Sequence, residues 1–296
     1  MRIALLGLGL IGGSIARAVR EHGSHGALRN ARLVAWTPSG DGPGAAAREG
    51  VIDEAAVSAE AAISDADLVI LAGPAPVCVE QLDALAGPWR AMLSHDAVIT
   101  DVASTKAAIV GRAEGLGLRF VGGHPMAGRE TSGYGAARAD LFEGRPWVVV
   151  PTSDADARAV ERVEELARAA GARPRRMAAD EHDAAVAAIS HLPLVVAAAL
   201  VDAVAGPPDH AREGWSVASE LAATGWRDMT RLARGDVAMG SGIVTTNASP
   251  IAARIRDLVD VLQAWLVDLE GERGPDHDAI TERLRAARDR LDSTPR

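Results

Sequence analysis

The sequence predicts an α/β protein, with a parallel sheet covered on both faces by helices over residues 1–178 and an all-helical region over 179–296. Three observations predict it. Short apolar runs alternate with helix-type runs through the first half, as in strand–helix–strand units. A Gly-x-Gly-x-x-Gly segment sits where the first apolar run meets the first helix-type run. Beyond residue 179 no convincing strand follows, and apolar residues recur at helical spacing.

The strands are expected at 2–6, 32–36, 68–72, 97–100, 119–121 and 147–150, with 173–177 as one further strand. Several are solidly apolar, the mark of strands buried on both faces. The helices between them are expected at 10–21, 43–49, 77–86, 106–114 and 155–170. Residues 180–205 read as one long helix bent at Pro193 and stopped by Gly206-Pro207-Pro208. Its apolar stretch, 184–205, contains His191, Pro193 and Asp202, which favours a buried core helix over a membrane span. Residues 250–270 and 275–291 read as two more helices, each opening on a proline. The Gly-bearing region 224–247 between them is too polar and irregular for simple core, and residues 292–296 are expected to fray.

Composition narrows the function. A formal net charge of −9 disfavours nucleic acid and anionic membranes as partners, while leaving room for an anionic small molecule held by local cations. The single cysteine, Cys78, has no internal disulfide partner, which fits a cytoplasmic location. Met1 leads directly into the first strand, so no leader peptide is expected. With six Trp, two Phe and one Tyr, the core must be built from Ala, Val, Leu and Ile.

Gly7-Leu8-Gly9-Leu10-Ile11-Gly12 follows a strand and opens a helix, the setting that makes this glycine pattern specific for a dinucleotide. Gly7 permits the tight turn, Gly9 lets a pyrophosphate approach the backbone, and Gly12 lets helix and strand pack closely. The free N–H groups of Leu10 and Ile11 then lie at the positive end of the helix. The second strand ends in Trp36-Thr37-Pro38-Ser39, with no carboxylate for a ribose and no nearby Arg for a 2′-phosphate. Thr37 can donate to either, so the cofactor is NAD or NADP. The Gly73-Pro74 turn after the third main strand is a further cofactor contact.

Two segments at strand ends carry the chemistry: Asp101-Val102-Ala103-Ser104-Thr105-Lys106 and Gly122-Gly123-His124-Pro125-Met126-Ala127-Gly128. A histidine between glycines has an unobstructed ring and a free pKa near 6.5, suited to accepting a proton at neutral pH. The Ser104 hydroxyl is placed to fix its tautomer. No cluster of metal ligands is recognisable, and none is needed.

These segments, with His182-Asp183, Ser190-His191-Leu192-Pro193, Arg227-Asp228-Met229-Thr230-Arg231 and Asn247, resemble the prephenate/arogenate dehydrogenase family in order and spacing from residue 2 to about 269. The resemblance implies a Rossmann-type sheet domain followed by an all-helical dimerisation domain. It implies NAD(P)-dependent oxidative decarboxylation of prephenate or arogenate in tyrosine biosynthesis, by a homodimer. By position, His124 is the base for the substrate's 4-hydroxyl, Ser104 its orienting partner, Arg231 the cation for a substrate carboxylate, and His191 a group on the substrate side.

Two positions depart from the family pattern: Leu194, where many relatives have a second His, and Gly240, where a Trp often follows the Met. Both bear on which substrate is taken, including a modified prephenate-like acid. A β-hydroxyacid dehydrogenase is the second enzymatic reading, but such enzymes rely on a lysine in the helical part, and none occurs from Pro151 onward. A nucleotide-sensing dimer is the non-enzymatic alternative; the intact Ser104, His124 and Arg231 set weighs against it.

Overall fold

The computed structural model describes residues 1–22, 28, 30–128, 131–207 and 209–294. His25, Arg129 and Glu130 of the segment after His124, Pro208 of the expected helix stop, and residues 295–296 of the expected frayed end lie outside the described residues. By contacts the chain falls into two compact units, Met1–Ala248 and Ser249–Arg296.

The first unit is built on one sheet of eight strands: β1 (Arg2–Leu6), β2 (Arg32–Trp36), β3 (Glu54–Ala55), β4 (Leu68–Leu71), β5 (Val98–Asp101), β6 (Phe120–Pro125), β7 (Pro146–Pro151) and β8 (Arg173–Arg176). Their order is β3-β2-β1-β4-β5-β6-β7-β8. The helices between them are α1 (Leu10–His22), α2 (Asp41–Arg48), α3 (Ala59–Ile63), α4 (Ala75–Ala86), α5 (Ala107–Gly115) and α6 (Ala157–Ala169). Alternation along β1 shows why its strands are apolar throughout. Ile3 and Leu5 pack on one face with Ile15 and Val19 of α1 and Val163 of α6. Ala4 and Leu6 pack on the other with Ala62, Leu82 and Ile109. The chain order reverses between β1 and β4, the switch point at which open α/β sheets bind ligands.

The sheet is not wholly parallel: β7 runs antiparallel to β6, with His124 opposite Val148. The connection from 126 to 145 contains only short turns of 3₁₀ helix at Tyr134–Ala136 and Ala139–Phe142 among its described residues, so no crossover helix returns the chain to the starting edge. β3 and α3 are too short to show a period in the sequence. β6 is longer than expected and carries the Gly-Gly-His segment inside the ladder.

The long helix begins as α7 (Ala179–Val186), widens into one π-turn at Ala187–His191, and continues as α8 (Leu192–Ala205). The expected disturbance at Pro193 therefore takes the form of a wide turn just before it, which absorbs the missing N–H and the bulk of the proline ring. The expectation of a buried core helix is not met within the single chain, since Ala197 is the one buried residue of α8. Ala179–Ala205 is long and apolar enough to cross a membrane by length and composition alone, yet 22% of its most apolar window is buried. The irregular stretch resolves into α9 (Trp215–Glu220), α10 (Thr224–Thr230), a 3₁₀ turn at Arg231–Arg234 and α11 (Val237–Thr246). The 231–234 turn packs on α8, and α11 on α4.

The second unit holds the rest of α12 (Ala248–Leu269) and α13 (His277–Asp292). Asp276 caps α13 by accepting from Ala279 N–H at 3.0 Å. Arg283 of α13 pairs with Asp268 of α12 and lies 5.9 Å over the Trp265 ring.

Candidate active site

The site residues lie within residues 1–248: Gly7, Thr37, Gly73 and Ser104 follow β1, β2, β4 and β5, His124 stands near the carboxyl end of β6, and His191 and Arg231 come from the helical stretch after β8. At the end of β1, Gly7 takes φ +112°, and a Cβ there would stand 2.5 Å from the Ala72 carbonyl oxygen. Both facts demand glycine. A Cβ on Gly12 would stand 2.3 Å from the Gly7 carbonyl oxygen, so this glycine sets how closely α1 meets the loop. Gly9 is different, because a Cβ there would meet no protein atom within 4 Å. The side of the loop that a Cβ on Gly9 would occupy is open, next to the first N–H groups of α1. Leu10 and Ile11 open that helix, half-buried.

Past β2, the Thr37 hydroxyl oxygen accepts from Gly40 N–H at 3.1 Å, which leaves its proton available to a ribose hydroxyl or phosphate. Past β4, Gly73 is half-buried and Pro74 exposed, immediately before α4. The Cys78 thiol lies beneath this loop, 3.3 Å from the Gly73 carbonyl, and burial pushes its pKa up to about 12. It is an inert packing group.

The end of β5 is tied to its neighbours by a buried ion pair. Asp101 and Lys106 are both fully buried and hydrogen-bonded to each other. Asp101 also accepts from Ala103 N–H at 2.9 Å and from Gly123 N–H at 3.2 Å. Burial pushes the Asp101 carboxyl up, against the ammonium and the two N–H groups that hold it ionised. One carboxylate thus braces β5, the start of α5 and the strand that carries His124. Gly123 belongs to this brace: a Cβ there would sit 2.6 Å from the Asp101 carbonyl oxygen and 3.0 Å from Trp147 Nε1. The glycine before His124 therefore serves strand packing.

His124, on β6, is half-buried. Its Nδ1 lies 2.8 Å from Nε2 of His182, with the two rings at 76°. His182 Nδ1 lies 2.8 Å from Asp183 Oδ1. Asp183 in turn accepts from the N–H groups of Lys106 and Ala107 at 2.7 and 2.8 Å. A carboxylate from α7 thereby caps α5 at its positive end. Burial opposes ionisation of Asp183, but the His182 ring and the two N–H groups hold its carboxyl below the ordinary range. Burial first, then the proximity of His182, Lys106 and His191, holds the His124 imidazole well below its free pKa, hence neutral. Ser104, half-buried three residues beyond β5, makes no hydrogen bond to His124; the ring's partner is His182.

His191 ends the π-turn and is buried. Asn247 Nδ2 donates to the Asp183 carbonyl and to His191 Nδ1, each at 2.9 Å. Nδ1 is then the acceptor and Nε2 carries the proton, and this buried Nε2 has no partner among the described residues. A buried donor without a partner points to a ligand. Arg231 opens the 231–234 turn against α8 and is exposed in the single chain. The two departures are neighbours, since a Cβ on Gly240 would sit 3.7 Å from Leu194 Cδ2.

Burial pushes His191 down to about 4, against a free value near 6.5. As pH falls through that window the unfolded chain takes up a proton before the folded one. His191, and His124 with the same direction, therefore contribute a loss of stability between pH 6.5 and about 4. Urea unfolding at pH 7 and pH 4.5 is expected to give the lower midpoint at pH 4.5, and His191→Gln a shallower decline.

Sequence reasoning gave no role to Asp101, Lys106, His182, Asp183 or Asn247. The available signal was a His-Asp pair opening an otherwise apolar helix, and an Asp and Lys five residues apart beside a buried strand.

Residues 15–175 match the family described as "Prephenate dehydrogenase, nucleotide-binding domain". Residues 178–277 match "Prephenate dehydrogenase, dimerization domain". The Bacillus subtilis prephenate dehydrogenase is 33% identical over 99% of this chain and 76% of its own length. A crystal structure of prephenate dehydrogenase from A. aeolicus, in complex with hydroxyphenyl propionate and NAD+, superposes with a TM-score of 0.84 at 27% identity, covering 99% of this chain and 98% of that one. The crystal structure of Synechocystis arogenate dehydrogenase gives 0.76 at 30% identity, over 98% and 100%.

Proposed function

The chain belongs to the prephenate dehydrogenase family, and from that membership we propose how its residues carry the reaction. It is an NAD(P)-dependent oxidoreductase that oxidatively decarboxylates prephenate, to 4-hydroxyphenylpyruvate, or arogenate, to tyrosine. The observation that carries the assignment of roles is a neutral imidazole, His124, at the same sheet edge as the Gly7–Gly12 loop.

Gly7, Gly9, Leu10, Ile11 and Gly12 hold the pyrophosphate, Thr37 the adenosine ribose or its phosphate, and Gly73 and Pro74 the stretch toward the reactive ring. A bound nicotinamide supplies the hydride acceptor. His124 takes the proton of the substrate's 4-hydroxyl, which raises the electron density at the carbon that gives up hydride. Loss of CO2 then leaves an aromatic ring (in the arogenate reaction the side-chain amine is a spectator), and aromatisation drives the step. What remains for the protein is positioning and one base. Arg231 grips a substrate carboxylate, and the unpartnered Nε2–H of His191 donates on the substrate side. Ser104 contributes its hydroxyl beside the same strand end.

Two assays test this. The purified chain is expected to reduce NAD+ or NADP+ only when prephenate or arogenate is present; reduction with neither acid overturns the reading. Gly9→Ala is expected to weaken dinucleotide binding about tenfold or more, about 1.4 kcal/mol, with an unchanged melting temperature, because its added Cβ meets no protein atom within 4 Å.

The division into a cofactor domain, residues 1–178, and a helical domain, 179–296, follows the same reading. The helical part makes a homodimer, whose partner covers the apolar surface of α8 and of Val217, Leu221 and Val237. Sedimentation is expected to give a dimer, and a clean monomer at micromolar concentration refutes it. The negative net charge and lone buried thiol fit a cytoplasmic enzyme with no nucleic-acid or membrane partner.

A further inference from the structure

We propose that His182 is a positioning residue that locks His124 in the one tautomer able to act as a base. The inference rests on the reading of His124 as that base and extends it to the groups behind the ring.

The argument starts at the far end of the chain of contacts and allows one proton arrangement at each link. The N–H groups of Lys106 and Ala107 can only donate, so both Asp183 oxygens accept from them. Asp183 is also held ionised, so the ring atom facing it, His182 Nδ1, must carry a proton. In its neutral form His182 then presents a bare Nε2 to its neighbour. The neighbour is His124 Nδ1, at 2.8 Å, which therefore carries the proton of that contact. With Nδ1 protonated and the ring neutral, the lone pair of His124 sits on Nε2, the nitrogen that points away from His182. A free imidazole prefers no such arrangement strongly; here a helix start dictates it through a carboxylate and a second ring.

The same chain helps after the proton has moved. When Nε2 of His124 takes the substrate's hydroxyl proton, the resulting imidazolium still donates through Nδ1 to His182, whose other side faces the Asp183 carboxylate. The positive charge formed in a buried setting is thus opposed by a fixed negative charge two links away, with no proton required to leave either ring. His182 and Asp183 are both buried, so water does not compete for these contacts. Asn247, donating to the Asp183 carbonyl, fixes the backbone of the same residue.

The test uses the full-length chain without substrate or cofactor, labelled with ¹⁵N at its eight histidines. Long-range ¹H–¹⁵N spectra at neutral pH, with His124 assigned by loss of its signals in His124→Asn, are expected to show Nδ1 protonated and Nε2 bare. His182→Asn keeps a donor toward Asp183 but removes the acceptor, and is expected to release His124 into the opposite or a mixed tautomer. His182→Gln returns an acceptor near the original Nε2 and is expected to restore the first pattern. In turnover, His182→Asn is expected to lower kcat by about 10–100-fold, as outer-shell partners of functional histidines do, with KM little changed; a merely structural role would move KM and melting temperature as well. A wild-type His124 protonated on Nε2 overturns the proposal, as does a His182→Asn protein with wild-type tautomer and kcat. The wild-type spectrum decides the matter even where a variant does not fold. It also needs no substrate, so a correct tautomer in a chain that oxidises neither prephenate nor arogenate counts against the proposed function and not against this inference.

Discussion

Replacement of His124 by Asn is expected to lower kcat by about 10²–10⁴-fold, the range a positioned general base supplies. Dinucleotide affinity should be unchanged, because the Gly7–Gly12 loop lies at the ends of other strands. The fold should survive as well. His124 is half-buried, and the contacts that brace its strand run through the backbone of Gly123 and not through the imidazole. Stopped-flow hydride transfer with saturating prephenate, alongside fluorescence titration of NADH, separates the two effects. Equal turnover in mutant and wild type would move the base elsewhere. A related expectation concerns acid: because burial first, and then the neighbouring His182, Lys106 and His191, hold the His124 imidazole well below its free pKa, the acid limb of kcat/KM lies below pH 6.5.

Lys106→Met is expected to cost about 3–5 kcal/mol of stability, the range for removing one partner of a buried pair. The loss is large because Asp101 is left fully buried without its counter-ion, and must either stay charged there or take up a proton. Carboxylates on the surface behave differently: the exposed Arg138–Asp140 pair is of the kind that contributes little to stability. Combining Lys106→Met with Asp101→Asn should recover part of the loss, since a neutral amide still offers an acceptor to Gly123 N–H. Urea unfolding at fixed protein concentration measures both variants, and a loss below 1 kcal/mol in the single one would show that water reaches the carboxylate.

The fold was legible in the sequence wherever periodicity is strong. β1, β2, β4 and the helices that follow them lie where apolar runs and amphipathic spacing put them, because each strand must be greasy on both faces. What escaped detection was set by contacts distant in sequence. The reversal of β7 depends on a connection with no helical pattern, and the low burial of α8 runs against its apolar sequence. The candidate site divides in the same way. His124, His191 and the glycines of the first loop announce themselves through local motifs. His182 and Asp183 do not, because their importance comes from meeting β6 and the start of α5, more than 50 and 70 residues away in sequence respectively. The size of Gly123 is set in the same way, by Asp101 and Trp147 on the neighbouring strands.

The π-turn at Ala187–His191 sets a rotational phase. At about 100° per residue, an unbroken α-helix would turn two residues nine positions apart to roughly opposite sides. His182 and His191 are nine apart, yet Asn247 reaches both the Asp183 backbone and the His191 ring. The widened turn under-rotates the chain relative to an unbroken α-helix, and His191 shares the partner Asn247 with the Asp183 backbone. A deletion of one residue from that turn, touching no group with a chemical role, would swing everything beyond it by about a quarter turn and point His191 at a different neighbour. The spacing of this helix is therefore as much a part of the chemistry as any side chain it carries.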